Sequence, residues 1–391
     1  MILPALIPTN LQYEVRIHPY AEVRERLERH INPTFSSTVD KNRSDLYSRY
    51  RVGVDIEVNR GLTAKLEYQY AQDTFWTQAS NGSTDATDVS QAYLRYSNEP
   101  GSVTLGRQKI EMGQQRLIGS TEWLNLARSF DGGRASYGQW EAWSGRLGVA
   151  NNKPESARMG ALIHADKTLG ATSFIYKHDL GKASGIDVQT IDQVTTQKIG
   201  QTTIDAEGAA QFGSNNGRDQ RAWAWHLRAS SPILPHTQFK VEANAASGGG
   251  NATTSRTFDN LYPSNHDLYG LADLTAWKNM NDVAFKVENK SFKGLTLQSE
   301  FHILTLRDPS DAWYGATGSA NPRTGGTFID PTGNSGRDLG NELDFSASYA
   351  MKSGGTFSLG VSFFDPGRFV QNLSGHSNQL TYGYLQYQAR F

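Results

Sequence analysis

The 391-residue chain has no cysteine, which rules out disulfides, thiolate metal sites and thiol catalysis. It also lacks a surplus of charge of either sign. With 38 Lys and Arg against 39 Asp and Glu, the net charge is −1, so no overall basic field exists to hold nucleic acid. No apolar run approaches the ~20 residues that a spanning helix needs. Sustained helical periodicity is missing, and no shift in composition marks a domain boundary. The opening MILPALIPTN lacks the basic region and small-residue cleavage site of a secretory signal. Residues 1–13 therefore read as an N-terminal extension of a mature or trimmed chain, and 14–391 as a single domain.

What is present is alternation. In residues 46–70, Val52, Val54, Ile56 and Val58 alternate with Arg51, Gly53, Asp55 and Glu57. After Asn59-Arg60-Gly61, Leu62, Ala64, Leu66 and Tyr68 alternate with Thr63, Lys65, Glu67 and Gln69. Successive side chains on a strand point to opposite faces, so this is a hairpin with one greasy and one charged face. The pattern recurs at Val15, Ile17, Ala21 and Val23, at Trp143, Gly145, Leu147 and Val149, and at Trp223, Trp225 and Leu227. It continues through Phe239 to Ala243, Val283 to Val287, Leu343 to Ala347 and Phe357 to Val361.

Connections come in two sizes. Short ones fall at 59–61, 97–102, 290–294 and 352–355, and long polar ones at about 108–140, 180–220, 245–281 and 306–340. Short turns on one rim and long loops on the other are the habit of outer-membrane barrels. Alternation alone also fits a β-sandwich with its greasy faces inward. Three features favour a membrane: the heavily charged faces, as in Arg49-Arg51-Asp55-Glu57; aromatics near strand ends (Tyr47, Tyr50, Tyr68, Tyr70, Phe75 and Trp76); and the closing YGYLQYQARF. That last segment, with Leu385, Tyr387, Ala389 and Phe391 on one face, resembles the C-terminal signal of bacterial outer-membrane barrels. In hydrocarbon every backbone polar group must be paired, and a closed barrel is the strand solution. The expected fold is thus all-β, a transmembrane antiparallel barrel of about 16 to 18 strands, with its first strand closing on its last around a wet lumen.

The stretch LGRQKIEMGQQRLIGSTEWLNLARSFDGGRAS, residues 105–136, adds a second kind of information. Gly106-Arg107-Gln108, Gln115-Arg116-Leu117-Ile118-Gly119, Trp123 and Arg128-Ser129-Phe130-Asp131-Gly132 resemble motifs of the alginate-export family of outer-membrane barrels. Residues 258–282, 340–349 and 363–370 are similar to the family too. The resemblance implies an eighteen-stranded porin passing an anionic uronate polymer through a basic lumen. By parity or motif, the expected solute-pathway residues are Arg16, Arg24, Arg49, Arg51, Arg95, Arg107, Arg116, Arg128, Arg134 and Arg146, with Glu111 and Asp131 tempering the charge. Of these, Arg51, Arg95, Arg116 and Arg128 are the foremost candidates for anion contacts. The planar, always-charged guanidinium suits carboxylates. Strict alternation places Arg107 on the face of Val103 and Leu105, so a lumenal role for it requires a bulge. Acidic residues of lumenal parity, including Asp55, Glu57, Glu67, Glu242, Glu288, Glu300, Glu342 and Asp344, keep a general small-solute porin as the alternative.

The expected partners are an anionic polysaccharide or small anionic solute, outer-membrane lipid and lipopolysaccharide, and periplasmic export partners. Nucleic acid, cofactor, metal and catalytic residues are not expected. Trp123 and Phe130 read as anchors of an infolded loop before sugar-stacking platforms, and Trp277 as a brace. The histidines lack zinc-ligand spacing, and FIDPTGNSGRD lacks a complete calcium-loop pattern. An outer-membrane hydrolase would use Ser, His and Asp at the rim, but no nucleophile elbow is present.

Overall fold

A computed structural model describes residues 14–36, 41–58, 61–77, 80–148, 154–179, 181, 185–266, 268–352 and 354–391. The expected extension 1–13, the turn residues Asn59 and Arg60, Val149 and Ser353 lie outside the described residues. The alternating segments form strands β1 (Val15–Ile31), β2 (Arg43–Val58), β3 (Leu62–Thr77), β4 (Asn81–Asn98), β5 (Gly101–Gln108), β6 (Ser129–Tyr137) and β7 (Trp140–Gly148). There follow β8 (Pro154–Asp166), β9 (Gly170–Asp179), β10 (Ile186–Ile199), β11 (Thr202–Asn215), β12 (Arg218–Leu234) and β13 (Thr237–Ala246). A two-residue strand β14 (Thr254–Ser255) precedes β15 (Met280–Asn289) and β16 (Leu295–Leu306). After the small hairpin β17 (Pro322–Arg323) and β18 (Gly326–Thr327) come β19 (Asp338–Ala350), β20 (Gly355–Pro366), helix α1 (Arg368–Ser374) and β21 (Leu380–Arg390).

Leaving aside the three two-residue strands, eighteen strands pair antiparallel in chain order, and β1 closes on β21 from Glu22↔Arg390 to Ile31↔Thr381. The wall therefore has no open edge. Connections at one rim, including Glu99-Pro100, Gly138-Gln139, 290–294 and 351–354, are short, whereas 109–128, 247–279 and 307–337 on the other rim are long. The long loop expected over 180–220 is instead occupied by β10 and β11. Its Gln-, Thr- and Gly-rich sequence alternates weakly, because Gln189, Gln193, Gly208 and Ala210 stand where other strands carry large apolar residues.

Sorting of the two faces is inverted relative to a soluble protein. Val52, Leu66, Leu94, Leu359 and Leu385 are 50–59% exposed on the outside, while Arg24, Arg49, Gln69 and Glu242 are 0–2% exposed inside. Val54 sits opposite Leu66 across β2 and β3 on this outer face. A Lys or Arg there would cost about 2 to 4 kcal/mol at the bilayer midplane, which fixes the register.

On β7 this assignment reverses. Trp143 and Leu147 point inward and are buried, while Arg146 points out. The physical reason is that the lumen here is not open water. Loop residues Ile110, Leu117 and Ile118 fold inside and pack with Phe130, Trp143, Phe258 and Trp277. A second apolar cluster, with Phe35, Trp313, Phe328, Phe364 and Phe369, fills the lumen under the 307–337 loop and α1. Each such buried side chain contributes about 1.5 to 3 kcal/mol, so the infolded loops are held by packing like a core.

Candidate functional site

Two lumen-facing walls and one infolded loop meet inside the barrel. Parity on β1 and β2 brings Arg24, Arg26, Arg49 and Arg51 onto one inner patch, through the pairs Arg24↔Arg49 and Glu22↔Arg51. Four neighbouring guanidiniums need acceptors, and the backbone of the 109–128 loop supplies them to Arg24, Arg26 and Arg49. Arg24 donates to Glu122 O at 2.6 Å, Leu124 O at 3.1 Å and Asn125 Oδ1 at 3.1 Å. Arg26 donates to Trp123 O at 2.6 Å, and Arg49 to Glu122 O at 3.0 Å. Asn125 in turn donates to Gln72 O at 3.0 Å and Ser48 O at 3.2 Å.

The same patch holds four carboxylates, with Glu28 2.7 Å from Arg26. Glu122 lies 2.9 Å from Arg51 and 3.4 Å from Arg49 and also pairs with Lys109; Glu22 lies 2.9 Å from Arg49; Glu67 lies 3.7 Å from Lys109. Burial pushes the Glu122 carboxyl up, but Arg51, Lys109 and Arg49 together outweigh it and hold it at about 2. Arg24 has no carboxylate partner among the described residues, and Arg24 Nε, Arg49 Nε and Arg51 Nη2 are buried without an acceptor. Buried donors left unmet are costly.

The loop reaches the opposite wall through Arg116. This wholly buried side chain lies 3.1 Å from Glu242 and 3.7 Å from Glu207, and bonds Tyr269 Oη at 3.1 Å. The 109–128 loop thereby bridges the lumen. It is also stitched to the 247–279 loop, since Tyr262 N donates to Leu117 O and Gly119 N to Tyr262 O, both at 2.9 Å. Arg128 seals that seam by donating to the carbonyls of Gly119, Tyr262 and Pro263. Arg26 lies 3.7 Å above the Trp123 ring, and His266 stacks on the other face at 3.6 Å.

Above the bridge, at the long-loop rim, lies a vestibule of about 1150 Å³. Arg128, Lys177, Arg218 and Lys278 line it together with Asp179, Asp259, Asp273 and Asp311, and with the rings of Trp123, Tyr262 and Tyr314. Lys177 sits 2.7 Å from Asp259. Burial raises the Asp259 carboxyl, yet Lys177 and Lys278 bring it below its ordinary value. Mixed charge of this kind is a surface that can bind a charged sugar weakly.

The remaining sequence candidates lie elsewhere. Arg107, Asp131 and Arg146 are on the outer face; Arg107 grips both oxygens of Asp131 at 2.6 and 2.8 Å and Asp88 at 2.8 Å. The GRQ and FDG motifs thus meet as a bidentate ion pair. Gly106, at φ +122°, is required there because a Cβ would stand 2.2 Å from Ala92 O. Arg16 pairs with Glu14 at 2.9 Å and Arg95 donates to Ser97 at 3.0 Å, both exposed near the short-turn rim. Arg134 pairs with Glu141 at 2.6 Å, and the exposed Glu111 accepts from Ser120. Sequence reasoning missed Arg26, Lys109 and Glu122. Arg26 was findable, since it shares the parity of Arg24; Glu122 and Lys109 sit in a loop where parity says nothing.

A barrel of eighteen strands with an inverted exterior, an infolded third connection of this length and the motif pair on one seam has a match. The profile described as "Alginate export" fits residues 18–154 and 162–382. The chain belongs to the alginate export family. Its fold is shared with outer-membrane channels of Pseudomonas aeruginosa: OccK5 (OpdH) at 10% identity, covering 96% of this chain and 98% of that one with TM-score 0.63, and OpdQ at 12% identity with the same coverages and TM-score. OccK2 (OpdF), solved in complex with glucuronate, aligns at 10% identity over 96% of each chain with TM-score 0.60. No curated protein sequence matches. This alginate export family member is an outer-membrane β-barrel channel of the bacterial cell, and both the family and the structural neighbours are transport proteins.

Proposed function

We propose that this channel passes small uronate-type or other carboxylated solutes passively, captured in the vestibule and selected by the Arg24–Arg49–Arg51–Lys109 patch. One observation carries the reading: five cations, Arg24, Arg26, Arg49, Arg51 and Lys109, gather with four carboxylates, Glu22, Glu28, Glu67 and Glu122, beside the loop that crosses the lumen. Their excess positive charge attracts carboxylates, and their existing partners keep each contact weak enough for release. The glucuronate held by OccK2, a barrel of the same fold, is consistent with such cargo. Residues 14–391 act as one barrel domain, with 1–13 as an extension; no cofactor and no catalytic step is involved.

A long polymer is the less favoured cargo. The apolar clusters around Trp277 and Trp313 occupy lumen that a threaded chain would need. Purified protein in a planar bilayer should show current block by glucuronate and short oligouronates at lower concentrations than by glucose. Equal block by glucose would make it a general saccharide porin, a reading that the four vestibule aspartates favour.

A further inference from the structure

The outward side of the wall carries a charge pattern that conduction does not use. Along the long-loop rim, cross-strand partners on the outer face run Arg107, Asp131, Arg146, Arg158, His178 and Asp187. All lie within four residues of the rim ends of β5 to β10. One end of the row is closed, because Arg107 occupies both oxygens of Asp131. At the other end His178 Nδ1 stands 3.9 Å from Asp187.

Arg146 and Arg158, between these ends, face each other directly across β7 and β8. Both are exposed, and among the described residues neither has a hydrogen-bond, ion-pair or ring partner. Like charges directly opposed on a strand pair are destabilising. A sheet that keeps two such groups adjacent, with the only cross-strand acid already spent, is complementary to an anion outside it. Below them on the same face lies an apolar strip, with Leu162 48% and Phe174 44% exposed and paired across β8 and β9.

We infer that Arg146 and Arg158 form a docking site for a phosphate of lipid A in the outer leaflet, whose acyl chains lie along Leu162 and Phe174. Two guanidinium forks match phosphate oxygens bidentately, and the long-loop rim is the extracellular side of such barrels. The apolar strip beneath the pair is what distinguishes an acylated phosphate from a free one. This inference rests on the outer-membrane placement and not on the solute, so it stands or falls apart from the selectivity proposal.

Native mass spectrometry of the detergent-solubilised protein tests it, using bisphosphorylated lipid A, the same lipid with both phosphates removed, and inorganic phosphate as competitor. The wild type should retain the phosphorylated lipid preferentially, and R146Q/R158Q should weaken retention about fivefold per arginine, about twenty-five-fold in all. R146K/R158K, which keeps the charge, should fall between, and R16Q should behave as wild type. Equal retention of the dephosphorylated lipid by the wild type would overturn the inference whatever the variants do. Displacement by equimolar inorganic phosphate would overturn the lipid as its source, and unchanged retention in a heat-modifiable, folded R146Q/R158Q would overturn the site.

Discussion

Trp123 lies flat against His266, with ring centres 3.6 Å apart and planes 4° from parallel, while the Arg26 guanidinium covers the other face of the indole at 3.7 Å. One side chain from the 109–128 loop is thus clasped between the barrel wall and the 247–279 loop. Tyr384 adds an edge contact at 4.9 Å, and His266 is itself fixed by Asp273 at 2.9 Å.

Replacing Trp123 by Ala removes the stack, the cation–π contact and the edge contact together, of order 3 kcal/mol of loop anchorage in this partly desolvated site. The barrel itself does not depend on this ring, so folding yield should hold. Single-channel records should show larger conductance and more open-channel noise than wild type. A trace indistinguishable from wild type would mean that the loop is held without the clasp.

Acid should loosen the same loop. Glu122 titrates from an ordinary 4.5 when undocked down to about 2 when docked, so its contribution is complete above about 4.5 and is lost as pH falls toward about 2. Its side chain is 42% exposed, so screening by water keeps the effect modest. Conductance should become noisier as pH falls below about 4.5. E122Q should show that noise at neutral pH and lose the acid dependence. Acid noise that persists in E122Q would assign it to another group.

The inverted wall predicts an asymmetry between two neighbouring substitutions on β3. Leu66→Arg faces lipid opposite Val54 and should cost about 2 to 4 kcal/mol in a folding titration into lipid vesicles. Gln69→Glu on the lumenal face keeps an acceptor for Arg51 and should fold into vesicles with a smaller loss, while shifting ion preference toward cations. Equal destabilisation would contradict the assignment of faces.

Much of this architecture was legible in the sequence because lipid enforces it residue by residue. Val52, Val54, Leu66 and Leu385 announce the outer face, and the long polar gaps at 247–279 and 307–337 announce one rim. Legibility failed where something other than lipid or water covers a face. Trp143 and Leu147 look outward by composition, yet Ile118 and Phe130 give them an apolar partner within, which turns Arg146 outside. β10 and β11 were hidden because Gln189, Gln193, Gly208 and Ala210 interrupt their apolar outer face. At the constriction, parity identified Arg24, Arg49 and Arg51, but no spacing rule could say that the carbonyls of Glu122 and Leu124 would sit on them.

The reversal potential under a salt gradient tests the central claim most directly. The cationic patch at the loop-bridged lumen should make the wild type anion-preferring, and R24Q/R49Q should shift the reversal potential toward the cation side without loss of channel insertion. A wild type that prefers cations, or a reversal potential unmoved by removing both arginines, would contradict it.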